Sequence, residues 1–153
     1  MRRDSRLSRM VHVVLHMARH NGSATSETIA GMLGANPVVV RRTMAGLREA
    51  GYVRSEKGHG GGWTLIRGLD EITIYDIYVA VGKPAIFAIG PAMDNPECRV
   101  EQVVDAALAE TYAEAEALLL AKLASTTLAG LSGELERRFP DSRRDLLACT
   151  SAA

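Results

Sequence analysis

The stretch Asn36-Pro37-Val38-Val39-Val40-Arg41-Arg42-Thr43-Met44-Ala45-Gly46-Leu47-Arg48-Glu49-Ala50-Gly51-Tyr52-Val53-Arg54 decides the architecture of this 153-residue chain. Asn36 offers an acceptor to the free amides of a helix's first turn. Pro37 follows at a position where a missing N–H costs nothing. Val40, Met44 and Leu47 recur at helical spacing and predict a buried stripe that runs to Gly51. The wheel then leaves Val38, Arg41, Arg42, Ala45 and Arg48 facing outward or sideways. Tyr52–Lys57 and Trp63–Ile66 follow as two extended segments. Between them Gly58-His59-Gly60-Gly61-Gly62 supplies a turn that side chains would obstruct, so a hairpin is expected.

Upstream, Leu7, Met10, Val11, Val14, Leu15 and Ala18 predict one apolar face of a helix over residues 5–19, stopped by Asn21-Gly22. A shorter helix starts near Thr25 or Ser26, where a hydroxyl can cap, and carries Ile29, Ala30 and Leu33 to Gly34. Three helices followed by a hairpin form a winged helix-turn-helix, in which the third helix enters a DNA major groove while the second braces it. Arg41 and Arg42 suit guanine edges or phosphates, Arg48 shares their surface, and Val38 suits a thymine methyl. Arg54, Lys57 and His59, with the bare amides of Gly60 and Gly61, suit flanking phosphates or a minor groove. Thr25, Ser26 and their helix N-terminus are placed to hold the DNA backbone from the other side.

The overall charge of zero hides the same division. Residues 1–67 hold 11 Lys and Arg against 4 Asp and Glu, a net +7, whereas residues 68–153 hold 7 against 14, a net −7. All four histidines lie in the basic part. Double-stranded DNA is the expected partner of the first half.

Beyond the hairpin, Asp70–Val81 predicts a short helix with Thr73 as cap and Ile74, Ile77, Tyr78 and Val81 on one face. Asn95-Pro96 repeats the cap-plus-proline signal and is expected to open the longest helix, to about Ser125. Its stripe is Val100, Val103, Val104, Ala107, Leu108, Thr111, Ala115, Leu118 and Leu119. So long a helix outgrows a small head, and the same helix from a second copy is the expected cover, which makes the chain a homodimer. Thr126 or Thr127 caps a final helix with Leu128, Leu131 and Leu135. The expected fold is mainly α with a small β-hairpin wing. A winged helix-turn-helix head spans 1–82, a linker 83–95, the dimerisation helix and short final helix 96–136, and a flexible tail 137–153. The linker is apolar, and Phe87 and Ile89 are expected to pack on the long helix or line a small pocket.

The residues Leu47-Arg48-Glu49-Ala50-Gly51-Tyr52-Val53-Arg54, Lys57-Gly58-His59-Gly60-Gly61-Gly62-Trp63, Asp70-Glu71-Ile72-Thr73 and Thr126-Thr127-Leu128-Ala129 resemble the Rrf2 family of bacterial winged-helix transcription regulators over about residues 5–135. The resemblance implies a homodimer joined by a long helix after the wing, palindromic operators and repression. His59 and Trp63 depart from the proline and tyrosine common in the family, which implies a looser wing tip or a contact from His59 itself. Iron–sulfur members carry three cysteines in the loop and at the start of the long helix, whereas only Cys98 stands there in this chain.

One thiolate is too few for a cluster, and Cys149 lies 51 residues further on. A thiol redox switch at Cys98 is the alternative carried forward, beside a protein-binding winged-helix module. His12, His16 and His20 stand one turn apart, but no cysteine or carboxylate shares their face. They are expected on a solvated or DNA-facing surface, and neither a metal nor a cofactor is assigned. Two cysteines exclude a disulfide scaffold. No apolar run approaches a membrane span, so a cytoplasmic protein without membrane contact is expected. Phosphate-loop and dinucleotide signatures are missing, His59 has no catalytic partner in the sequence, and no enzyme is expected.

Overall fold

The computed structural model describes residues 4–19, 23–58, 61–87, 90, 95 and 97–140. Among these the elements run α1 Arg6–Arg19, α2 Ser26–Leu33, α3 Pro37–Glu49, β1 Val53–Glu56, β2 Gly62–Leu65, α4 Ile74–Ala80, α5 Arg99–Ala124 and α6 Leu128–Arg138. The expected mainly helical head with a hairpin wing and a long following helix is the observed architecture.

Local chemistry sets most boundaries. Thr25 Oγ1 accepts the Thr28 N–H at 3.1 Å, and Asn36 Oδ1 accepts the Val38 N–H at 2.8 Å, so both helices of the helix-turn-helix begin on a side-chain cap. Gly34 closes α2 in the left-handed conformation at φ 55°. Thr73 and Asp76 cap α4 reciprocally, each side chain meeting the other's backbone N–H at 3.2 and 2.7 Å. Thr127 caps α6 by accepting from Gly130.

Val40, Met44 and Leu47 of α3 are buried in one core cluster that also holds Val14, Ile29 and Ile77, as their spacing predicts. Gly46 sits on the α4 side of α3, where an added Cβ would lie 2.1 Å from the Ala80 carbonyl oxygen. That approach sets how closely α3 packs on α4. The buried face of α1 differs from expectation. Met10, Val13, Val14, His16 and Met17 are buried, Leu7, Val11 and Leu15 only partly so, and Ala18 is exposed. The helix is covered by α2, β2, α4 and α6 together, so the buried sector is wider than the sequence stripe and rotated from it.

The wing strands pair antiparallel from Val53 opposite Leu65 to Glu56 opposite Gly62. A backbone bond from Ile66 to Tyr52 closes their base at 3.0 Å. A second short pairing joins two distant stretches, Ile72–Ile74 and Thr126–Leu128. Ile74 N–H donates to the Thr126 carbonyl at 2.9 Å and Leu128 N–H to that of Ile72 at 2.8 Å. Ala129 N–H adds a bond to Leu69 at 2.9 Å. The end of α5 is thereby fastened to the start of α4, and Leu128 enters the core of the head.

The long helix opens at Arg99 with Cys98 as its N-cap residue, later than the Asn95-Pro96 signal predicts. The Asn95 N–H donates to the Glu101 carboxylate at 2.9 and 3.1 Å while its carbonyl accepts from Cys98 at 2.9 Å, so a turn stands where the first helical residues were expected. From there α5 runs 26 residues, about 39 Å. Residues 141–153, with Cys149 and most of the expected tail, lie outside the described residues.

Candidate nucleic-acid interface

The outward surface of α3 is the centre of the basic face. Val38 is 62% exposed and Val39 55%, large fractions for valines, and Arg41, Arg42 and Arg48 are exposed beside them. Val38 and Arg42, one helical turn apart, are exposed outside the groove on this face. Arg41, Ala45 and Arg48 line an open groove of about 610 Å³ between α3, the N-terminus of α2 and the wing, whose other walls include Thr25, Glu27, Lys57 and Gly61. The structure thus gathers Arg41, Arg48, the α2 cap and the wing lysine around one depression, while Arg42 and Arg54 are not among the residues that line it.

The wing is held against α2 by two kinds of bond. Ala24 and Trp63 exchange backbone hydrogen bonds at 2.9 Å each. Trp63, buried, donates its indole N–H to Ser26 Oγ at 3.0 Å, and Ser26 is itself buried. The Ser26 hydroxyl is therefore occupied in positioning the wing, while Thr25, exposed and bonded to Thr28, remains at the surface. Trp63 anchors the root of the wing, a role that its departure from the family pattern did not suggest.

At the tip, Gly58 adopts φ +105°, and its carbonyl accepts from Gly61 at 3.0 Å. A Cβ on Gly61 would stand 2.4 Å from the Glu56 carbonyl oxygen, so the turn requires glycine there. His59 and Gly60, both expected contacts, lie outside the described residues.

Two of the arginines expected to meet DNA are ion-paired. Arg41 Nη2 meets Glu27 Oε1 at 2.6 Å and Arg54 Nη2 meets Glu56 Oε1 at 2.8 Å. Among the described residues Arg42, Arg48 and Lys57 form no ion pair, which leaves their charge for an external anion. The Glu27 carboxyl is held below its ordinary range, first by its own backbone N–H at the helix N-terminus and then by Arg41. Sequence reasoning missed Glu27 because an acid in a helix's first turn is ordinarily explained by the macrodipole. Its partner is 14 residues away.

The long helix contributes a different surface. No residue of α5 is buried. Val100, Val103, Val104, Leu108, Leu118 and Leu119 are exposed, as are Ala107, Thr111 and Ala115, so the whole expected stripe faces away from the head. The flank beside Leu108 and Leu119 carries Tyr112, which meets Phe87 with ring centroids 6.2 Å apart, and half-buried Leu123. Phe87 packs on the long helix as expected, while Ile89 lies outside the described residues.

The histidine expectation fails at His16, which is buried and meets the His12 ring edge-on at 4.5 Å. The two do not share a solvated face, and His20 lies outside the described residues. Cys98 is half-buried. Among the described residues no three His, Cys, Asp or Glu side chains converge on a point that would hold a metal ion. No described helix is long and apolar enough to cross a membrane.

These features match known regulators. A helix-turn-helix-type transcriptional regulator of Bacillus subtilis, YwnA, is 32% identical over 133 residues, covering 86% of this chain and 98% of the relative. The solved structure of a transcriptional regulator from Lactobacillus plantarum superposes with a TM-score of 0.74 at 24% identity, covering 88% and 92% of the two chains. That of CymR, the global cysteine regulator of B. subtilis, gives 0.60 at 23% identity, covering 88% and 98%. The Rrf2 family model, described as an iron-dependent transcriptional regulator, matches residues 3–134. Iron does not fit the donors described here, because Cys98 is the one thiol among them and no carboxylate or imidazole set accompanies it. With the helix-turn-helix, the wing and the family match in agreement, the chain belongs to the Rrf2 family of transcriptional regulators, and its head is that family's DNA-binding winged helix.

Proposed function

We propose that this regulator works as a cytoplasmic homodimer that occupies a palindromic operator and represses transcription, without catalysing a reaction. Residues 1–82 act as the DNA-binding unit, 83–95 as the linker, 96–136 as the dimerisation segment and 137–153 as a tail. The observation that carries the DNA half is the exposed Val38 and Arg42 with the groove of Arg41 and Arg48 beside the wing. In this arrangement α3 enters the major groove, Val38 meets a thymine methyl, and Arg41 and Arg42 take guanine edges or phosphates. Arg54, Lys57, His59 and the amides of Gly60 and Gly61 hold flanking backbone, and Thr25 with the α2 N-terminus holds the other side. The dimer half is supported by the uncovered stripe from Val100 to Leu119, which pairs with its copy and sets the two heads about 34–36 Å apart, one turn of DNA.

Genomic footprinting followed by salt titration on the recovered sites tests this. The expected result is inverted-repeat sites, with affinity falling linearly in log–log salt and by orders of magnitude between about 50 and 200 mM. Replacing Arg41 and Arg42 together by alanine is expected to abolish site preference. Intact affinity and preference in that variant would refute the docking.

A further inference from the structure

Glu27 is an acid on the face that must approach a polyanion. A carboxylate there repels phosphate, so its position calls for a use. It stands in the first turn of α2, exposed, with one carboxylate oxygen 2.6 Å from Arg41 Nη2 in the groove between α3 and the wing. The macrodipole accounts for an acid at this end of α2, but not for its contact with a recognition-helix arginine.

A guanidinium has five N–H donors, and the contact with Glu27 uses one. Four remain, and a bidentate grip on guanine N7 and O6 needs two. The ion pair and the base contact are therefore compatible at the same arginine. An arginine on an exposed helix otherwise samples many rotamers and meets phosphate as readily as a base. Fixing one edge of its guanidinium from α2 removes that freedom, and it penalises the phosphate-bound rotamers in which Glu27 would be left unpaired beside the DNA. The carboxyl's lowered pKa keeps it charged throughout the neutral range.

We propose that Glu27 is a specificity-determining positioning residue, which holds Arg41 in the orientation that reads a guanine in the major groove and discourages it from clamping phosphate. This rests on the docking of α3 proposed above. It divides the basic residues of the face by role: Arg41 reads under restraint, while Arg42, Arg48 and Lys57, without ion pairs among the described residues, supply general attraction.

The test uses the full chain against a pool of randomised duplexes, with binding measured by selection and sequencing, and against one mixed-sequence duplex titrated at two salt concentrations. Wild type, Glu27→Ala, Glu27→Gln, Arg41→Ala and the double variant Glu27→Ala with Arg41→Ala are compared. Arg41→Ala is expected to lose preference at one base pair per half-site, by about ten-fold or more. Glu27→Ala and Glu27→Gln are expected to weaken preference at that same base pair while binding the mixed duplex several-fold more tightly, since one negative charge has gone. In the double variant Glu27→Ala is expected to add nothing further to the loss of preference. If Arg41→Ala loses its preference but both Glu27 variants keep theirs, the positioning role is wrong and the docking stands. If Arg41→Ala itself keeps full preference, Arg41 reads no base and this proposal falls with that part of the docking. A Glu27 effect of equal size in the Arg41→Ala background also overturns the proposal, because the acid would then act independently of the arginine.

Discussion

Replacing Ser26 by alanine isolates the bond that fastens the wing. Trp63 Nε1 donates to Ser26 Oγ at 3.0 Å with both residues buried, so the variant leaves an indole N–H inside the head without its acceptor. A buried donor deprived of its partner costs about 1–3 kcal/mol. Taking roughly 2 kcal/mol, and about 2–4 °C of melting temperature per kcal/mol for a domain of this size, the expected fall is about 4–8 °C. Trp63→Phe removes the donor from the other side and also loses ring contacts. The double variant should therefore cost less than the sum of the two by about 1 kcal/mol. Urea unfolding followed by far-ultraviolet circular dichroism, at one fixed protomer concentration, measures all three. Because Trp63 is the sole tryptophan of the chain, its emission in Ser26→Ala reports the anchor directly and is expected to shift to the red. An unchanged urea midpoint with unchanged emission, or strict additivity of the two substitutions, would show that the bond does not hold the wing.

Three further outcomes are expected. Gly46→Ala should destabilise the head by about 1–3 kcal/mol despite alanine's better helix propensity, because its Cβ would overlap the Ala80 carbonyl; thermal melting checks it, and a gain in stability would contradict the packing. Leu108→Glu, on the exposed stripe of α5, should leave the melting of the head unchanged but shift sedimentation toward monomer and weaken operator binding by at least about ten-fold; an unaltered sedimentation coefficient would remove the stripe from the interface. Asp76 is burdened first by burial, but the Thr73 hydroxyl and N–H and the Tyr52 hydroxyl outweigh this and hold its pKa below the ordinary value. Its contribution to stability is thus present above the unfolded value of about 3.9 and lost as the pH falls through the lower folded value. Asp76→Asn should therefore lower stability at pH 7 and flatten its decline below about pH 4, which urea midpoints across pH measure.

What could be read from the sequence was what neighbours in sequence decide. Asn36-Pro37, Thr73 and Thr127 announce their helices because a cap needs only the next three amides, and Val40, Met44 and Leu47 point inward because the helix repeats every 3.6 residues. The failures share one cause, a partner far along the chain. The long helix opens at Arg99 and not at the Asn95-Pro96 signal because a turn precedes it. In that turn the Asn95 carbonyl accepts from Cys98, and the Glu101 carboxylate reaches back to the Asn95 N–H. Ser26 is removed from the open surface by Trp63, 37 residues away, and Arg41 is met by Glu27 from another helix. The face of α1 turned because four elements close around it, which periodicity within one helix does not encode. Ile72-Thr73 and Thr126-Thr127-Leu128 both stood out in the family resemblance, yet nothing in either stretch says that they bond to each other.

That pairing has a mechanical consequence. Three backbone bonds clamp the C-terminal end of α5 to the head, while its other end joins α4 through a segment with no regular element among its described residues. The helix is a lever built in at its base, touched further along by α4 and by Phe87 at Tyr112, with its apolar stripe left exposed. At about 39 Å, each degree of tilt at that base carries the far end through roughly 0.7 Å. A stiff root converts a displacement of the distant tip into rotation of the DNA-binding head, and slack in those three bonds would absorb it instead.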